Sequence, residues 1–270
     1  MLNKTINYKN KNYTIQEFNI TEFYKYITTQ PENNVFKNTI LSSIEGSYEF
    51  TKTISLNEAL DLFLHGDVEL TKQLTDKLHN ININKNKNTV KQNFDIVGFQ
   101  ASVPRYLQGI PTNMINNKIV QKQTKIITIY KSISYPGIFT TNKIIENSLK
   151  ALQIVQQLEA QGYRVNLNVL IGTHTSNQNI IAVVRIKSAN ERMAISKMAF
   201  CLAHPSMLRR LYFRYIETSP IITDTSFKYG YGMAIDEVVL EHVLKLYNRT
   251  TKVIYLPKTI ENIENFIKNL

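Results

Sequence analysis

The chain has 270 residues, 43% of them hydrophobic, enough for one large domain or a medium domain with a companion, and enough to exclude global disorder. Its formal net charge of +11 favours polyanionic partners. It is divided as +5 over residues 1–131 and +6 over the rest, the spread of a solvated surface rather than of a basic tail.

Cys201 is the single cysteine, which excludes an intrachain disulfide. The opening MLNKTINYKNKNYTI lacks the apolar stretch of a signal peptide, and no run of about eighteen apolar residues occurs. The expectation is a protein not secreted by a signal peptide and with no membrane partner. Part of the lysine content follows the Asn, Ile and Lys bias of AT-rich coding sequence.

The first fifty residues carry no clean period, and TEFYKYIT and NVFKNTILSSI suit helix or strand equally. The signal sharpens at SLNEALDLFLHGD, where Ser55 and Glu58 form a capping box and Gly66 is a stop. Leu56, Ala59, Leu60 and Phe63 then share one helix face, and Asp67 caps a second helix, VELTKQLTDKL. This helix pair (about 55–78) is followed by HNININKNKNTVKQN, residues 79–93, which has no face to bury and is expected to be a linker. The expected division is an N-terminal, mainly helical region, 1–93, and an α/β domain, 94–270.

DIVGFQASVPRYLQGIPTNM, residues 95–114, gathers Gly98, Pro104, Gly109 and Pro111 around a lone Arg105. It is expected to be a rigid crossover with preset turns, with Arg105 as its one candidate binding residue. KIITIYKSI (125–133) then predicts a buried strand. A long helix from about Asn142 turns Ile145, Leu149, Leu152, Val155 and Leu158 inward and ends at Gly162.

RVNLNVLIGT (164–173) and NIIAVVRIKS (179–188), joined by HTSNQ, predict an antiparallel hairpin at a sheet edge. ERMAISKMAFCLAHPSMLRRLYFRYIE is helical with a break at Pro205. KYGYGMAID is a glycine–tyrosine turn, either a ligand lid or a plain connection. DEVVLEHVLKLY, KVIYL and PKTIENIENFIKNL predict helix, strand and helix. The order implies α/β with a mostly parallel sheet, an antiparallel edge hairpin and helices on both faces.

Ligands of such sheets sit beyond the carboxyl ends of the strands. There the chain offers only Gly137 and no phosphate-loop pattern, which argues against nucleotide binding by the usual loops. Cys201 and His204 are spaced for a thiolate–imidazole pair or for a buried cysteine beside a helix-terminal histidine. In HPSMLRRLYFRYIE, Arg209, Arg210 and Arg214 interleave with Tyr212, Phe213 and Tyr215. That pattern suits phosphate contact and base stacking, or an amphipathic helix with arginines solvated or paired to Glu217.

The strand end Tyr130-Lys131-Ser132-Ile133-Ser134 followed by a helix resembles the von Willebrand factor A domain, in which D-x-S-x-S binds a divalent metal. Here Tyr130 replaces the carboxylate, so the resemblance implies the sheet arrangement and not the metal; Lys131, Ser132 and Ser134 remain binding candidates. Three further segments act as a set. They are Val103-Pro104, Leu107, Gly109, Pro111 and Met114; Leu158-Glu159, Gly162 and Val165; and Ala203-His204-Pro205 with Arg209-Arg210. Together, over about Ser55 to Glu217, they resemble an uncharacterised family of tailed-bacteriophage proteins, which implies a source and a fold but no reaction.

With no carboxylate dyad, phosphate loop or metal cluster in view, the expectation is a non-catalytic binding or adaptor protein with no cofactor. Its partner would be a phage or host protein or nucleic acid, in the host cytoplasm or the virion, through Arg105, Lys131, Ser132, Ser134, His204, Arg209, Arg210 and Arg214. The alternatives are a virion structural component, which would form a homo-oligomer or larger assembly, and an enzyme on nucleic acid or nucleotides that brings Arg105, His204 and Arg209 together.

Overall fold

The computed structural model describes residues 2–79, 90–119, 125–261 and 263. Leu2–Tyr8 (β1) and Lys11–Asn19 (β2) form a hairpin that pairs Tyr8 with Lys11. The intervening Lys9 and Asn10 take φ of 50° and 59°, the left-handed pair that a two-residue turn needs to match strand twist. Asn19 then starts Ile20–Thr29 (α1): its side chain accepts from the Glu22 amide at 2.8 Å, and Glu22 accepts from the Asn19 amide at 3.0 Å. TEFYKYIT is therefore helix.

NVFKNTILSSI becomes a 3-10 turn, Asn34–Phe36, and the start of a short helix, Ser42–Glu45 (α2), with Tyr48–Thr51 (α3) after it.

Leu56–His65 (α4) and Val68–His79 (α5) are the expected helix pair. Ser55 accepts from the Glu58 amide at 3.1 Å, Asp67 accepts from the Leu70 amide at 2.9 Å, and Gly66 ends α4 at φ 88°. The chain continues as Val90–Asp95 (β3), Gln100–Ala101 (β4), Val103–Leu107 (α6) and Met114–Ile119 (β5). Residues 90–93 are thus strand, while the remainder of the expected linker, 80–89, lies outside the described residues.

Ile126–Ser132 (β6), Thr141–Ala160 (α7), Arg164–His174 (β7) and Asn179–Lys187 (β8) follow. Next come Ile195–Ala203 (α8), a π-helical turn Met207–Tyr212, and Phe213–Thr218 (α9). Met233–Ala234 (β9), Glu237–Tyr247 (α10) and Lys252–Leu256 (β10) complete the order. Most of the expected final helix lies outside the described residues.

The main sheet runs β1-β2-β8-β7-β6-β10, with β9 beside β7. β6 is parallel to β7 and β10, and β2 is parallel to β8. The β7–β8 hairpin forms as expected but is not at an edge, because β2 continues the sheet beyond β8.

Alternation along β8 shows both faces in use. Ile180, Ala182, Val184 and Ile186 join the core with α1, α4, α5, α7, α8 and α9, whereas Ile181 and Val183 join the core beneath α10. The fold is α/β with helices on both faces. Sheet and larger core alike draw residues from both sides of position 93, so the compositional change there does not separate two cores. The order β3-β5-β4 makes a second, antiparallel sheet whose described side chains belong to neither core.

Candidate functional site

A cavity of about 390 Å³ opens beyond the carboxyl ends of β6 and β7, where an α/β sheet places its ligands. Ser134, Tyr135 and Gly137 line it after β6, and Ile171 to Thr173 line it at the end of β7. Arg209, Phe213, Phe50, Lys258 and the loop Gly230 to Ala234 complete the lining.

That loop is strained. Gly230, Tyr231 and Gly232 take φ of 116°, 64° and 80°, which for a tyrosine costs on the order of 1 kcal/mol. Tyr231 is held there by its hydroxyl, which donates to Glu217 at 2.6 Å and accepts from the Ser42 amide at 3.0 Å. Its ring stacks on Phe213 at 4.1 Å and on Phe36 at 5.8 Å. Burial, with the Glu217 carboxylate alongside, pushes the Tyr231 phenol well above its usual range. Gly232 is required because a Cβ would lie 2.4 Å from Thr173 Oγ1.

Of the residues proposed from sequence, Ser134 and Arg209 line this cavity. Ser134 Oγ accepts from the Gly172 amide at 3.3 Å and ties β6 to β7, while Ser132 is buried and its Oγ accepts from the Ser134 amide at 3.4 Å. Lys131 is fully buried, and its ammonium donates to the carbonyls of Pro257 at 2.6 Å and Lys258 at 3.0 Å. Desolvation holds its pKa down at about 7. Lys131 therefore ties the end of β10 to β6 and does not reach the cavity.

His204 ends α8, stacks on Phe200 at 4.8 Å, and accepts from the Ser206 amide at Nδ1, 3.1 Å. Burial lowers its pKa to about 4, so it is a neutral helix-terminal side chain. Cys201 is buried and its thiol is pushed up to about 12, which removes the thiolate half of a Cys–His pair. Among the described residues no group of three His, Cys, Asp or Glu could hold a metal ion.

The arginine-rich segment is turned inward, which corrects the expectation of arginines solvated or free for phosphate. Arg210 has no exposed surface. Its guanidinium donates to Thr53 Oγ1 and to the carbonyls of Ser43, Ile44, Gly46 and Thr53 at 2.7–3.0 Å, so all its donor directions are used in binding α2 to the π-helical turn.

Arg209, 4% exposed, lies over the Phe50 ring at 4.3 Å and donates to the carbonyls of Phe50 at 2.6 Å, Phe139 at 3.1 Å and Gly137 at 3.3 Å. Arg214 makes the expected ion pair with Glu217, 3.8 Å apart. These arginines are placed to bind their own chain.

Arg105 belongs to the second sheet. Its guanidinium donates to the Thr112 carbonyl at 3.0 Å and Oγ1 at 3.2 Å and lies over Phe94 at 4.2 Å. His204 and Arg209 both border a crevice of about 10 Å³ beside Pro205, but Arg105 is bound to residues of its own sheet.

What surrounds Arg105 is apolar. Phe94, Ile96, Val97, Phe99, Val103, Tyr106 and Leu107 are 45–78% exposed. Residues 95–114 carry β4 and α6 between β3 and β5 of this small sheet, in which Gly98 must be glycine because a Cβ would lie 2.2 Å from the Ile115 carbonyl oxygen.

Phe50, Phe213, Lys258 and the Gly230–Gly232 loop were not among the residues proposed from sequence. The forward signs were the glycine–tyrosine turn KYGYGMAID and the place of Phe213 among the aromatics of the arginine-rich segment. No significant similarity joins the chain to a curated protein or to a solved structure. A family model for a domain of unknown function, DUF7192, matches residues 3–268, nearly the whole described fold, and the chain belongs to that family.

Proposed function

We propose that the protein is a non-catalytic binding protein that grips a protein partner with the small sheet of residues 90–119. The observation that carries this is the set of seven large apolar side chains exposed between Phe94 and Leu107, in a segment whose described side chains contribute to neither core. So many exposed large apolar side chains within fourteen residues are the kind of surface that a partner covers.

The surroundings indicate the partner's chemistry. Residues 90–119 carry Lys91, Arg105 and Lys118 against one acid, Asp95, so the fitting occupant is a protein with an apolar face and an acidic rim. Nucleic acid fits less well, because the apolar surface holds a single cation, Arg105, already engaged by Thr112 and Phe94, and because Arg209 and Arg210 are buried. The segment motifs that resemble tailed-phage proteins support a role as an adaptor in an infected host or a virion.

Hydrogen exchange on the protein with its captured partner tests this directly. Protection on binding is expected in 94–107. Protection confined to 195–218, or tight DNA binding that weakens steeply with salt, would replace the reading with nucleic-acid recognition.

A further inference from the structure

We infer that the cavity at the ends of β6 and β7 is a binding site for a small organic anion carrying a planar ring. This goes beyond the partner contact of the small sheet and rests on different residues.

The lining supplies both halves of that chemistry. Tyr231 and Phe213 stack face to face at 4.1 Å with parallel planes, and the stack is fixed by the Tyr231 hydroxyl's bonds to Glu217 and Ser42. Phe50 on another wall stacks under the Arg209 guanidinium. These contacts immobilise Phe50, Phe213 and Tyr231, so the cavity has a rigid aromatic lining of the kind that suits a planar apolar group.

Charge provides the second half. Arg209 and Lys258 line the cavity and no acidic residue does. Arg209 spends its N–H edge on carbonyl oxygens, and among the described residues no carboxylate lies within ion-pairing distance of it. Its charge is therefore buried at the cavity wall among neutral oxygens and the Phe50 ring, where it attracts an anion through a poorly screened field. Lys258 is a third exposed, and its ammonium is 3.9 Å from Glu237, too long for a hydrogen bond. An anion in the cavity offsets the buried Arg209 charge and gives Lys258 a hydrogen-bonding partner in addition to the longer-range Glu237 carboxylate.

The volume of about 390 Å³ admits a mononucleotide or an aromatic carboxylate and is too small for a folded peptide. The strained Gly230–Tyr231–Gly232 segment is the kind of over-determined backbone that accompanies a ligand site.

Gly137 gives a clean means of testing the site. Its φ is not in the left-handed region, and a Cβ there meets only Phe50, at 3.8 Å, so a side chain fits the backbone and fills the cavity. The probes are adenosine 5′-monophosphate and indole-3-acetate, each beside its neutral counterpart, adenosine and indole-3-ethanol. The readouts are calorimetry and thermal shift on the full chain.

At least one anion is expected to bind in the micromolar to millimolar range, with its neutral counterpart weaker by about tenfold or more. Gly137→Leu should abolish binding without lowering the melting temperature, and Lys258→Met should weaken it about tenfold. Which anion binds separates a nucleotide ligand from an aromatic acid. The inference is overturned if the neutral compounds bind as well as the anions, if Gly137→Leu binds like the parent, or if neither anion binds at millimolar concentration.

Discussion

Arg210 carries its charge at zero exposure, held by five hydrogen bonds to Ser43, Ile44, Gly46 and Thr53, with the Glu58 carboxylate attracting it from farther off. Converging carbonyl dipoles, including those at the end of α2, supply its direct contacts. Arg210→Met leaves these oxygens without donors and is expected to cost about 3–5 kcal/mol of unfolding free energy in urea titrations. A loss below about 1 kcal/mol would mean that the oxygens find water instead.

Lys131 makes the complementary prediction in pH. Its folded pKa of about 7 lies below the unfolded value, so between about 7 and 10 the unfolded chain holds a proton that the folded chain has released. Stability therefore rises with pH across that window, by at most about 1.4 kcal/mol per unit from this group. Above about 10 the buried tyrosines 212 and 215, whose pKa values are raised, reverse the trend. Lys131→Met should flatten the rise, and a rise that persists unchanged in the variant would assign it to another group.

At the scale of elements, local signals governed what could be read ahead of the structure. Ser55, Asp67 and Gly66 bound α4 and α5 through bonds to residues three or four positions away, and β7 and β8 are dense in β-branched and apolar residues with only a short connection between them. The N-terminal hairpin lacked such signals. β1 is mostly exposed, and β2 buries Gln16 and Glu17, whose polarity is satisfied from afar by Tyr215, Arg185 and Tyr247. Its turn uses Lys9-Asn10 with no glycine.

The arginine segment misled for the same reason, since the carbonyls that bury Arg209 and Arg210 come from residues 43–53 and 137–139. The small sheet hangs on one position. Gly98→Ala drives a Cβ into the Ile115 carbonyl and is expected to release β4 from β5 while the main sheet stays folded. Nuclear magnetic resonance should show shift changes confined to about 94–119, and changes spreading into β6–β8 would show that the two sheets are coupled.

Across the whole molecule, binding capacity and stability occupy different places. The two cores absorb the helices and the basic segment 207–214, while the apolar surface of Phe94–Leu107 and the cavity behind Tyr231 are left open. No helix among the described residues is long and apolar enough to cross a membrane.

The sequence pointed to both places through Arg105, Ser134, Arg209 and the KYGYGMAID turn, but not to the apolar surface or the cavity itself. The cavity is assembled from six stretches of chain, and the exposure of 94–107 follows from β3, β4 and β5 pairing among themselves.

The most direct test of where the partner binds compares two variants for affinity to the same captured partner. Val97→Asp with Leu107→Asp alters only exposed side chains, and Arg214→Ala removes the arginine paired to Glu217 on the basic segment. The expected result is partner affinity lost in the first at unchanged melting temperature and kept in the second. Affinity kept in the Val97/Leu107 variant and lost in Arg214→Ala would contradict the account.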